Sequence, residues 1–271
     1  MTVREALAAA ARRLAAVSGS PRLDAELLMA HALGVSREGL LLSRLSDPAP
    51  AAFAPLLRRR LAHEPVAYIT GRRAFWTIEL EVAPGVLIPR PDSETLIEAA
   101  VDHFGTNGPA TILDLGTGPG TLLFAALDQW PNATAVGVDR SEQALALAAR
   151  NAERLGLAGR AHFQPGDWGE GLDQSFDLIL CNPPYIETGA ALPADVAEWE
   201  PPEALYAGVD GLDAYRALAP QLPRLLAPGG VACLEIGAGQ AAAVSALFAA
   251  RFTISSRNDL SGIARCLILT H

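Results

Sequence analysis

From residue 93 onward, short apolar runs alternate with stretches of helical periodicity, and this alternation limits the possible folds more than any other feature of the chain. Strands are predicted near residues 111–115, 135–139, 161–164, 176–181, 231–236, 252–256 and 264–269, with helices over 141–155, 212–226 and 240–250. Consecutive parallel strands need a crossover, and an intervening helix supplies it. The expected fold class is α/β, with a mostly parallel seven-stranded sheet covered by helices on both faces.

The first 73 residues read differently. They are rich in Ala, Leu and Arg at helical spacing, cut by Ser18-Gly-Ser-Pro21, Gly34 and Asp47-Pro48. Thr2 and Glu5 form a capping-box pattern at the start of the first helix. A small helical domain over 1–73 is expected, with Arg58-Arg59-Arg60 on a solvated helix face. Phe75-Trp-Thr-Ile-Glu-Leu-Glu-Val82 alternates at period two, and residues 83–88 follow a turn. A linking β-hairpin over 74–90 is expected, then a domain over 91–271.

The run over 176–181 is apolar and ends in Asn182-Pro183-Pro184-Tyr185. This tetrapeptide lies at the carboxyl end of a strand, where open α/β sheets hold their ligands. Two successive prolines remove two donors and fix two φ angles, so the Asn182 side chain and the neighbouring carbonyls are presented as acceptors without competition. With the Tyr185 ring they make a receptor for a planar NH2 group. A strand-ending turn is the simpler alternative for any Asn-Pro pair.

Asp114-Leu-Gly116-Thr117-Gly118-Pro119-Gly120 follows the first strand of the sheet and opens a helix, a place where glycines let backbone pass close to a ligand. Thr121 stands where a dinucleotide fingerprint wants glycine, and Pro119 lacks the donor a pyrophosphate would meet. The spacing suits a nucleotide-like cofactor without phosphates. Asp139 ends the second strand, where a carboxylate can bind ribose hydroxyls or anchor the helix that begins after Ser141. Asp167 and Trp168, after the third strand, can bind an adenine by accepting from its amino group and packing on its face; Trp168 also reads as a plain packing aromatic.

Composition excludes several functions. Apolar residues make up 50% of the 271 and charged residues 19%, with no run of eighteen uncharged apolar residues and no basic stretch leading into an apolar core at the start. A soluble, cytoplasmic protein is expected. The net charge of −9 opposes a phosphate backbone, so no direct nucleic-acid binding is expected. Three cysteines in apolar contexts read as reduced core thiols. The five histidines lack ligand spacing, His63-Glu64 failing the zinc pattern at Ala67, and no metal is expected.

The order of glycine loop, acidic residue after strand two and Asn-Pro-Pro-Tyr after strand four resembles the class I, Rossmann-like S-adenosylmethionine-dependent methyltransferases that act on planar nitrogens. Within them the chain resembles the release-factor glutamine N5-methyltransferases, the PrmC/HemK family. The matching segments are Glu64-Pro-Val-Ala-Tyr-Ile-Thr-Gly71, Phe75-Trp76, Ile88-Pro-Arg-Pro-Asp92 with Glu94, the glycine loop, Asn182-Pro-Pro-Tyr-Ile186, Glu200-Pro201 and Gly208-Val-Asp-Gly-Leu-Asp-Ala-Tyr-Arg216. They cover nearly the whole chain. Asp92-Ser93-Glu94 stands where the family usually has Glu-Thr-Glu, and Pro119 where Thr or Ser is frequent.

The resemblance implies S-adenosylmethionine as cofactor and the Gly-Gly-Gln glutamine of bacterial class 1 peptide release factors as substrate, gripped as a protein by the N-terminal domain. It implies that Asn182 and the Pro183 carbonyl orient the glutamine amide, that Tyr185 packs on the amide or the cofactor, that Pro89 and Arg90 close the methionine end of the cofactor site, and that Glu200 orders the loop after Asn-Pro-Pro-Tyr. A methyltransferase acting on a ribosomal-protein glutamine or on an exocyclic base amine shares the same receptor. A base methyltransferase needs a basic track that an acidic chain lacks. An idle binding module would not need the receptor, the glycine loop and Asp139 together, and a dehydrogenase would need the missing glycine.

Overall fold

The computed structural model describes residues 1–271. In chain order the helices and strands are α1 (Val3–Leu14), α2 (Pro21–Leu33), α3 (Arg37–Ser43), α4 (Phe53–Leu61), α5 (Val66–Thr70), β1 (Arg72–Phe75), β2 (Ile78–Glu81), α6 (Glu94–Phe104), β3 (Thr111–Leu115), α7 (Thr121–Gln129), β4 (Thr134–Asp139), α8 (Glu142–Leu155), β5 (Ala161–Pro165), β6 (Phe176–Cys181), α9 (Ala194–Ala197), α10 (Asp213–Leu218), α11 (Leu222–Leu225), β7 (Leu226–Glu235), α12 (Ala241–Phe248), β8 (Thr253–Asn258) and β9 (Ala264–Thr270). Contacts divide them into two units. One holds Met1–Arg72 and Leu192–Trp199; the other holds Arg73–Ala191 and Glu200–His271.

The first unit is a bundle of α1 to α5 around Val3, Leu7, Leu14, Leu28, Met29, Leu40, Phe53 and Leu57. Its opening helix carries the expected capping box: Glu5 N donates to Thr2 Oγ1 and Thr2 N to Glu5 Oε2. The arginine run departs from expectation. Arg60 shares the inner face of α4 with Phe53 and Leu57 and is only 4% exposed. A buried guanidinium requires partners, and it has them: Asp24 at 2.8 Å, the Val17 carbonyl at 3.2 Å and Asp195 at 3.1 Å. Arg59 pairs with Glu64. Through Asp195, Arg60 holds the distant segment Leu192–Trp199 in this unit.

The second unit is built on a seven-stranded sheet of order β5-β4-β3-β6-β7-β9-β8. The strands β3 to β7 are parallel, while β9 runs antiparallel to β7 and β8. Leu178 and Leu180 of β6 pack with α6 and α7, and Ile179 and Cys181 pack with α10, α11 and α12. Burial on both faces is why β6 is apolar apart from the half-buried Asp177 near its start and was legible without alternation. Strand order reverses between β3 and β6, which pair from Ile112↔Leu178 to Leu115↔Cys181. Their carboxyl ends therefore meet at the switch point of the sheet.

Two expectations need correction. The hairpin pairs β1 with β2 around a two-residue turn at Trp76-Thr77, and residues 83–88 form no strand. Trp76 adopts φ 54° there while its N–H donates to Glu94 Oε1, so the apparent period-two run is broken at its second residue. Ala83 and Val86 pack instead on Ala144 and Leu147 of α8. The helix expected over 212–226 is split into α10 and α11, since Pro220 and Pro223 each lack a donor.

Candidate active site

Asp114, near the end of β3, is 1% exposed and accepts from Thr117 Oγ1 at 2.7 Å and Leu123 N at 3.2 Å, tying the glycine loop to the first turn of α7. Burial pushes its pKa up to about 7 against those two bonds. Gly116 N and Thr117 N both donate to the Val138 carbonyl. Gly118, at φ 55°, turns its N–H onto Asp139 Oδ2 at 2.8 Å. Gly120 opens α7 at φ 88°, and a Cβ there would collide with the Phe124 ring. Its place is thus structural. Asn151 Nδ2 donates to the Pro119 carbonyl and fixes the loop from α8.

Asp139 anchors two segments, since its Oδ1 accepts from Ser141 N at 2.9 Å. A carboxylate has about four lone-pair sites. Two remain, at a side chain that borders a cavity of about 460 Å³ over the carboxyl ends of β3, β4 and β6. Gly116, Thr117, Gly118 and Pro119 form the floor of this cavity, with Asp167 and Trp168 at another side. Trp168 stands at φ 55°, a costly conformation for a bulky residue, which turns the indole toward Gly116.

The segment before α6 closes a further side with Pro89 and Arg90. Glu200 holds it: Oε1 accepts from Arg90 Nη2 at 2.5 Å and Oε2 from Ile88 N at 3.1 Å. The expected role of Glu200, ordering the loop after Asn-Pro-Pro-Tyr, is thus a clamp on residues 88–90. Arg140, the other cation at the cavity, donates to the Glu203 carbonyl. Arg90 is matched by Glu200, and Asp139, Asp167 and Glu203 outnumber Arg140 at the walls, so the lining suits a ligand with positive charge better than a phosphate.

At the end of β6, Asn182 and Pro184 border the cavity, whereas Pro183 is buried and Tyr185 turns away from it. Asn182 Nδ2 donates to Ser93 Oγ at 3.0 Å, which leaves Oδ1 as the acceptor. Ser93 Oγ in turn donates to Glu235 Oε2 at 2.5 Å, and the Tyr185 hydroxyl donates to Glu235 Oε1 at 3.3 Å. Burial and the Glu235 charge raise the Tyr185 pKa, keeping the phenol protonated. Gln240 Nε2 holds the Tyr185 carbonyl at 3.0 Å. Ser93, Glu235 and Asp114 were not singled out from the sequence. A lone carboxylate inside an otherwise apolar strand was the available signal for the two acids, because such a group persists only with dedicated partners.

A seven-stranded sheet of this order, with a glycine loop at its switch point, is the class I methyltransferase fold, and S-adenosylmethionine is its cofactor. The PrmC N-terminal domain model matches residues 5–71, and a methyltransferase domain model matches residues 107–256. A relative from Rhodospirillum rubrum named release factor glutamine methyltransferase is 45% identical over 255 residues, spanning 92% of this chain and 78% of the relative. One of the same name from Cereibacter sphaeroides is 43% identical across 99% of this chain and 94% of its own. The T. thermophilus 16S rRNA N2 G1207 methyltransferase, solved in complex with AdoMet and guanosine, superimposes with a TM-score of 0.56 over 74% of this chain and 50% of that one. At 21% identity, that likeness shows the fold alone. The chain belongs to the release factor glutamine methyltransferase family.

Proposed function

We propose that the protein methylates the side-chain amide nitrogen of the glutamine in the Gly-Gly-Gln motif of bacterial class 1 peptide release factors, giving N5-methylglutamine. The observation that carries the chemistry is the bond from Asn182 Nδ2 to Ser93, which commits Oδ1 to accepting. Asn182 Oδ1 and the Pro183 carbonyl would take the two N–H bonds of the glutamine amide. When bound, S-adenosylmethionine supplies a methyl group made electrophilic by its sulfonium. An amide nitrogen is a poor nucleophile, since its lone pair is delocalised into the carbonyl. Two acceptors fixed at the end of β6 hold the nitrogen with its face free, and such alignment contributes roughly 7 to 11 kcal/mol in favourable cases. The same acceptors stabilise positive charge growing on nitrogen, the reverse of an oxyanion hole. The cation formed loses its proton readily, so no general base is needed.

Asp139 would hold ribose hydroxyls with its remaining lone pairs, Asp167 and Trp168 the adenine, residues 116–119 the space beside them, and Pro89 and Arg90 the amino-acid end. For the protein partner, residues 1–72 carry ten arginines against six carboxylates, whereas residues 73–271 carry eleven against twenty-four. The helical unit over 1–73, the more basic of the two, would dock the release factor, and the acidic remainder disfavours direct contact with nucleic acid. A substrate of this kind places the enzyme in the cytoplasm.

The test is incubation with methyl-labelled S-adenosylmethionine and either a bacterial class 1 release factor or the same factor with its Gly-Gly-Gln glutamine changed to alanine. Label on the first alone supports the assignment. Label on neither, with cofactor binding intact, overturns it.

A further inference from the structure

Resting on the reading that Asn182 Oδ1 receives the substrate amide, we infer that Glu235 is a positioning residue that sets the direction of the Asn182 side chain through Ser93. Glu235 and the intermediary Ser93 are each 1% exposed. Ser93 Oγ lies 2.5 Å from Glu235 Oε2 and 3.0 Å from Asn182 Nδ2. A serine hydroxyl has one proton and two lone pairs, and an ionised carboxylate only accepts. The Ser93 proton therefore goes to Glu235, and a lone pair faces Asn182. Only the NH2 end of the amide can meet a lone pair, so the carbonyl oxygen is turned the other way.

The two orientations of an asparagine amide have almost the same shape, so packing discriminates between them poorly. Hydrogen bonding decides. Without the carboxylate, Ser93 can donate to Asn182 Oδ1, and the flipped amide would offer its NH2 to an incoming NH2. Donor would then face donor. The second oxygen of Glu235 accepts from the Tyr185 hydroxyl, so one buried carboxylate on β7 holds both ends of the Asn182 to Tyr185 turn. The neighbouring register, Cys181↔Leu234, brings it there.

The test uses the full-length protein with Ser93→Ala, Ser93→Thr, Glu235→Gln and the double variant Ser93→Ala/Glu235→Gln. Three quantities are read: methylation kinetics on a bacterial class 1 release factor, S-adenosylmethionine affinity by calorimetry, and exchange of the Asn182 side-chain amide protons by nitrogen-15 NMR. The kcat is expected to fall about 10- to 100-fold in Ser93→Ala and in Glu235→Gln, the scale of a misaligned reacting group. The double variant should be no slower than the slower single variant, because the two residues act in series. Ser93→Thr should keep wild-type rates, cofactor affinity should be unchanged, and the Asn182 amide protons should lose protection in Ser93→Ala. An unaltered kcat in Ser93→Ala, losses that add in the double variant, or parallel losses of cofactor affinity would overturn the inference. If Glu235→Gln does not fold, the two Ser93 variants decide the matter. A wild-type protein that labels no release factor would sink the substrate assignment, while the amide-exchange result would still judge the orientation of Asn182.

Discussion

Glu200, with 1% of its side chain exposed, closes a 2.5 Å ion pair with Arg90 and accepts from the backbone N–H of Ile88 as well. One carboxylate thus fixes the run leading into α6, which forms one side of the cavity. Glu200→Ala should free that run and weaken S-adenosylmethionine binding about tenfold, a typical loss for a supporting residue. The kcat at saturating cofactor should change little. Calorimetric affinity alongside saturated kinetics checks this, and an unaltered affinity would refute it.

Asn182→Ala should lower kcat by about 10²- to 10³-fold, as loss of one preorganised transition-state contact does, while cofactor affinity stays near wild type. Equal losses in both quantities would instead make Asn182 a structural cap on β6.

Burial pushes Glu235 up to about 7, opposed by the Ser93 bond, Arg265 on β9 and the Tyr185 bond, and reinforced by Asp92. Cys181 on β6, Tyr215 on α10 and Cys266 on β9 also face it. The folded pKa lies above the unfolded value of 4.5, so this group's contribution to stability is full below that value and is lost as pH rises through about 7. Replacing it by Gln removes the decline. The stability difference between Glu235→Gln and wild type should shift in favour of the variant by about 3 kcal/mol between pH 4 and 8, following 1.36 kcal/mol per pKa unit. Denaturant titrations across that range measure it, and a pH-independent difference would contradict it. Activity runs the other way: kcat should rise through pH 7 as the carboxylate becomes the acceptor Ser93 requires.

Arg60→Ala leaves Asp24 buried without its cation, and removing one partner of a buried pair costs about 3 to 5 kcal/mol. The segment Leu192–Trp199 also loses its Asp195 contact. Expected are a lower midpoint of denaturant unfolding and faster proteolysis within 192–199. An unchanged cleavage pattern would show that Asp195 is not what holds that segment.

Local patterns sufficed for much of this. The strand over 176–181 was legible because a strand buried on both faces is apolar along nearly its whole length, Asp177 excepted, and the one over 111–115 because a glycine loop follows it. The Thr2 and Glu5 cap needs only residues three apart. The hairpin was misplaced because Trp76 interrupts a convincing period-two run, and its turn is supported by Glu94, eighteen residues away.

By itself the sequence determined the α/β alternation, the glycine loop, the Asn-Pro-Pro-Tyr turn after β6 and the helical N-terminal unit, all of which are encoded in contiguous residues. Only the tertiary structure decided what directs them. Ser93 and Glu235 are separated by 142 positions yet are hydrogen-bonded beside Asn182, Glu200 reaches back across 110 to Arg90, and Arg60 reaches forward across 135 to Asp195. Hydrogen bonds of that span leave no local trace, because each partner is chosen by where the sheet brings it and not by its neighbours in the chain.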